Sequence, residues 1–158
     1  MATANAERQT PLPSGLPRDR LRLWLRLLGL TRQIEAELRR RLSAEFDMTL
    51  PRFDVLAALY RDPSGLMMSQ LSRRLKVSNG NVTGIVDRLV SEGLVLRTIP
   101  DGDRRASVVR LTESGRDRFE QIAPVHNSWI DELLSGANAK ETTGAISLLD
   151  QLIARSVA

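Results

Sequence analysis

Two short stretches hold the side chains with the most to offer chemically. Ser78, Asn79, Asn81 and Thr83 lie within SNGNVTG, and Asp103, Arg104 and Arg105 lie within PDGDRR. The first group supplies neutral hydrogen-bond donors and acceptors. The second places a carboxylate two residues before a guanidinium, a spacing at which a charge-assisted hydrogen bond holds the arginine in place. This is the chemistry of recognition rather than of turnover. The chain has no cysteine, which removes disulfides, thiolate metal sites and cysteine nucleophiles. One histidine, His126, leaves almost no room for a zinc site. There is no glycine-rich phosphate loop, and Glu35, Glu37 and Asp54 stand among arginines as salt-bridged surface does. This inventory points away from an enzyme and from any metal or resident cofactor.

The elements that must position these groups follow from periodicity. Residues 1–16 hold Thr, Pro, Ser and Gly without a repeat and read as a flexible tail. A long helix is expected from Pro17 to Phe46, with Leu30, Ile34, Leu38 and Leu42 on one stripe. Thr49 caps a second helix with Pro51 in its first turn. Ser69 is expected to cap a short helix from Gln70 to Leu75, and Ser78 a further helix beginning at Asn79. LVLRTI (94–99) and ASVVRL (106–111) read as two strands joined through PDGDRR. Thr112 caps a long helix that Pro124 is expected to kink, and Gly136-Ala137-Asn138 separates it from a last helix at 139–156. The fold expected is mainly α with a small β hairpin: a winged helix-turn-helix at 49–112, with terminal helices at 17–48 and 113–158 forming a dimerisation region. Those terminal helices are too apolar to stand alone, and pairing with a second copy is their natural use.

Asn, Thr and Gly are poor helix formers, yet they open the helix at Asn79. Val82, Ile85, Val86 and Leu89 share one face of that helix. At about 100° per residue, Gly80, Thr83, Gly84, Asp87, Arg88 and Ser91 occupy the other. A surface with so little bulk suits a helix that enters a major groove about 12 Å wide, where Asn, Thr and Ser address base edges and phosphates. A basic hairpin tip beside it can reach the adjacent minor groove. The net charge of +4 and pI near 10.5 agree with a polyanionic partner. Double-stranded DNA is therefore the expected partner, contacted by Ser78, Asn79, Asn81, Thr83, Arg88, Asp103, Arg104 and Arg105. No apolar run is long enough to span a membrane and no secretory leader is evident, so a cytoplasmic protein without a membrane partner is expected.

These residues resemble the MarR family of bacterial transcription regulators. The matching stretches are LPRFDVL (50–56), SQLSRRL (69–75) with Val77-Ser78, Val82-Thr83, IVDRL (85–89), EGLV (92–95) and the run from Asp101-Arg105 to LTESG (111–115). The resemblance spans about Leu21 to Ile153. It implies a homodimer that places two recognition helices in successive major grooves of a pseudo-palindrome. Arg105 would enter the minor groove and Asp103 would orient it. Gly84 departs from the family, which often has a basic or larger polar residue there.

The resemblance also implies release from DNA by a small anionic aromatic effector bound between the dimer helices and the winged domain, as befits a repressor of aromatic catabolism. Arg18, Arg22 and Arg26 form a row around Trp24, suited to an aromatic acid or its coenzyme A thioester. Met67 and His126 are further candidates for that cleft. The alternative expectation is an architectural DNA-binding protein that answers to no effector.

Overall fold

The computed structural model describes residues 14–98 and 107–156, without the side chain of Asn79. Its elements are α1 (Leu16–Phe46), α2 (Leu50–Tyr60), β1 (Leu66–Met67), α3 (Met68–Leu75), α4 (Asn79–Ser91), β2 (Val95–Thr98), β3 (Val108–Leu111), α5 (Glu113–Leu134) and α6 (Ala139–Ser156). Two compact units result, one ending at Ala36 and the other beginning at Glu37. Among the described residues no helix is long and apolar enough to cross a membrane.

In the first unit, α1 exposes Leu21, Leu23, Trp24, Leu25 and Leu30, and Arg22 pairs with Asp19 at 3.3 Å. The second unit holds the core. Phe53, Val55, Leu56 and Leu59 of α2 are buried with Leu71 of α3, Val82, Val86 and Leu89 of α4, Val95 and Val109 of the sheet, and Ile122 of α5. Several helix starts are fixed as their sequences require. The hydroxyls of Thr49, Ser78 and Thr112 accept hydrogen bonds from the amides of Arg52, Asn81 and Gly115. Asn138 and Glu141 form a reciprocal capping box at α6, at 2.9 and 3.1 Å. α5 continues as one helix through Pro124.

The expected two-stranded hairpin is a three-stranded antiparallel sheet in the order β1-β3-β2, with Leu66 opposite Val109 and Val95 opposite Leu111. The added strand also corrects the start of α3. Helix begins at Met68, so Ser69 lies inside it and does not cap it. Met67 must stay extended to pair with Val108, and the Gln70 side chain accepts its amide at 2.8 Å. The pairing moves the helix boundary one residue ahead of the serine.

α5 docks on α2 through a ladder of rings. Tyr60 and Phe119 lie 4.6 Å apart, Phe119 and Phe53 5.5 Å, and Phe53 and His126 4.4 Å. The Tyr60 hydroxyl donates to Glu120 at 2.9 Å, which raises the phenol's pKa. Nearer the end of α1, Arg41 makes a two-pronged ion pair with Glu132 at 2.6 and 3.0 Å and also reaches Glu37 at 2.7 Å. Hydrogen bonds from Arg40 and then Arg41 hold the Glu37 carboxyl at about 2.

Two outcomes are predicted. A methyl group at Gly115 would sit 1.9 Å from the Leu94 carbonyl oxygen, backbone that cannot yield cheaply. Gly115→Ala should therefore cost about 3 kcal/mol in urea unfolding; an unchanged midpoint would refute this contact. Burial lowers the pKa of His126 below its ordinary value. The unfolded chain then takes up the proton first as pH falls, so the neutral ring's contribution to stability is complete above about 6.5 and is lost on acidification. The His126→Phe variant, which keeps the stack, should show a flatter stability profile between pH 7 and 5. Identical profiles would remove His126 from the titration.

Candidate nucleic-acid interface

α4 is held on the domain by its buried face, so its other face is fixed in space. Gly80 and Gly84 are exposed, and a Cβ added to either would meet nothing within 4 Å. They open a hollow of about 630 Å³ whose lining includes Thr49, Pro51, Asn81, Ile85 and Arg88. Asn81 is exposed, and Thr83 lies half-buried at the edge of this face. Ser78 has two duties available to it. Its hydroxyl caps the helix at 3.4 Å from the Asn81 amide, and the residue remains exposed at the positive end of the helix dipole.

Arg88 projects from the same face, with its side chain 68% exposed. Its Nε donates to Glu92 at 2.7 Å, and the other oxygen of Glu92 accepts from Arg52 of α2. Arg52 also donates to the Asp47 carbonyl at 3.2 Å. A second tie joins the sheet to the helix: Arg97 of β2 reaches Asp87 of α4 at 3.3 Å and the Ser107 hydroxyl at 3.4 Å. Sequence reasoning missed Glu92, Arg52 and Arg97. Only the Arg88–Glu92 pair had a local signal, an i,i+4 spacing; the others join residues distant in sequence. Arg73 and Lys76, exposed at the end of α3, add positive charge that had also been passed over.

The structure thus brings Ser78, Asn81, Thr83 and Arg88 onto one helix. Asp103, Arg104 and Arg105 lie outside the described residues, as does the side chain of Asn79. The expected effector residues are divided between the two units. Arg18, Arg22, Trp24 and Arg26 are exposed on the first unit, with Trp24 58% exposed. In the second unit Met67 lies exposed in β1, and His126 is half-buried against Phe53.

Comparison with known proteins agrees with this geometry. Residues 46–106 match the profile of the MarR family. The transcriptional activatory protein BadR of Rhodopseudomonas palustris is 30% identical over 135 residues, covering 84% of this chain and 77% of BadR. The crystal structure of a MarR family transcriptional regulator from Silicibacter pomeroyi superposes with a TM-score of 0.77 at 33% identity, covering 91% of this chain and 99% of that one. A mutant of E. coli MarR, solved in complex with operator DNA, superposes with a TM-score of 0.73 at 28% identity, covering 88% and 99%. With the winged-helix fold, the capped and glycine-opened α4 and these relatives in agreement, the chain belongs to the MarR family of transcription regulators.

Proposed function

We propose that this protein is a homodimeric, effector-responsive regulator that binds a pseudo-palindromic operator and, as a repressor, releases it when a small anionic aromatic compound binds. The observation that carries the DNA reading is the outer face of α4. Gly80 and Gly84 leave it open, Asn81 and Arg88 are exposed on it, and its first turn is capped by Ser78. Such a face can approach the floor of a major groove while its helix dipole meets phosphate. The E. coli neighbour solved on operator DNA supports the same use of the fold. Asp103 and Arg105 carry the D-x-R spacing expected of a minor-groove arginine with its orienting acid.

The homodimer reading rests on α6. None of its residues is buried, and it exposes Ile146, Leu148, Leu149, Leu152 and Ile153. An apolar helix without a covered face calls for a partner surface, and a second copy supplies a matching one. The effector reading rests on Arg18, Arg22 and Arg26 beside an exposed Trp24, groups suited to a carboxylate or phosphate on an aromatic body. The cellular setting that goes with this function is the cytoplasm.

The test is a fluorescence-anisotropy titration on DNA from upstream of the protein's own gene, repeated with benzoic and hydroxycinnamic acids and their coenzyme A thioesters. Release by a free acid supports a site built on one carboxylate. Release by a thioester alone gives the α1 arginines a phosphate-binding role. Tight binding that no compound reverses supports the architectural alternative. In the same assay Arg105→Ala should weaken binding by roughly 1–3 kcal/mol, and unchanged affinity would take the wing out of recognition.

A further inference from the structure

We infer that Glu92 and Arg52 are positioning residues that aim Arg88 at the DNA backbone, a role that rests on the operator-binding function proposed above. The three side chains form a chain of decreasing burial. Arg52 is 15% exposed, Glu92 22% and Arg88 68%. Arg52 donates from one terminal guanidinium nitrogen to the Asp47 carbonyl and from the other to one carboxylate oxygen of Glu92. The other oxygen takes the Nε–H of Arg88 at 2.7 Å. A guanidinium has five N–H donors in a fixed fork. Holding it by Nε leaves the Nη edge directed away from the carboxylate, so the charge is presented in one orientation rather than sampled over many.

Glu92 is not where helix electrostatics alone would put an acid. It is the C-cap of α4, where the negative end of the helix dipole disfavours an acid. Its order relative to Arg88 is also the weaker one for a helical i,i+4 pair. It further adds negative charge beside a face proposed to meet phosphates. The cross-element bond from Arg52 holds the carboxylate in place, and the outcome is an exposed arginine with a fixed heading.

The sign of one substitution separates this role from plain electrostatics. Removing an acid near DNA should tighten binding if Glu92 acts only through its charge. If it positions Arg88, Glu92→Gln should weaken binding about 5-fold in the native background and less than about 2-fold when Arg88→Ala is already present. Arg88→Ala itself should lower the salt slope of log affinity by about one. Arg88→Lys leaves the Arg52–Glu92 pair intact, so it serves even if Glu92→Gln fails to fold. Lysine keeps the charge but has no fork to hold, and it should bind more weakly than the native protein while keeping the native salt slope. Affinity that rises or stays level in Glu92→Gln, equal losses in both backgrounds, or native affinity in Arg88→Lys would each overturn the inference. A wild-type protein that binds no duplex would instead overturn the operator-binding function, and this inference with it. The measurement is the same anisotropy titration, run at several salt concentrations with thermal melting of each variant alongside.

Discussion

Val82, Val86 and Leu89 are fully buried, and the seam they make in the domain core sets the roll of α4 about its own axis. A helix with three fixed positions over two turns has no rotational freedom left. Which residues face outward is thereby decided: Gly80, Asn81, Gly84 and Arg88 are exposed because their neighbours are committed to the core. The seam is itself backed by α2, where Val55, Leu56 and Leu59 are buried, and by Val95 and Val109 of the sheet. Everything the protein offers to a partner on this side depends on that apolar contact.

Polar ties refine what the core begins. Arg52–Glu92, Arg74–Asp62, Arg97–Asp87 and Arg41–Glu132 each join two elements or an element and its neighbouring turn. Most are partly exposed, and pairs of that kind contribute on the order of 0–1 kcal/mol. Their weight lies in direction rather than in stability. Arg97 ties the base of the hairpin to the helix beside it, and Glu92 fixes the bearing of Arg88. The ring ladder from Tyr60 to His126 serves the same end for α5, since stacked rings restrict sliding as well as separation.

Much of this was legible in the order of residues. Helices with a clear stripe and a Ser or Thr cap appeared where expected, because cap and stripe are local signals that reinforce each other. Thr49, Ser78 and Thr112 show this directly. β1 was not legible. It is two residues long, it runs straight into helix, and only the distant Val108 and Val109 make it a strand. The misplaced cap at Ser69 follows from the same omission. On α4 the division into buried and open faces could be read from spacing alone. The Arg52–Glu92 bond could not, since its partners are forty residues apart and carry no shared pattern.

The two glycines of α4 have a consequence for how this surface can change. At exposed helical positions, alanine is favoured over glycine by about 1 kcal/mol, and neither Gly80 nor Gly84 has a neighbour that an added side chain would strike. Most substitutions there would leave the fold intact or strengthen it. The positions nearest the proposed partner are therefore among the least constrained by folding. A scaffold of this kind can exchange one sequence preference for another in single steps, each variant staying folded while the new preference is tried.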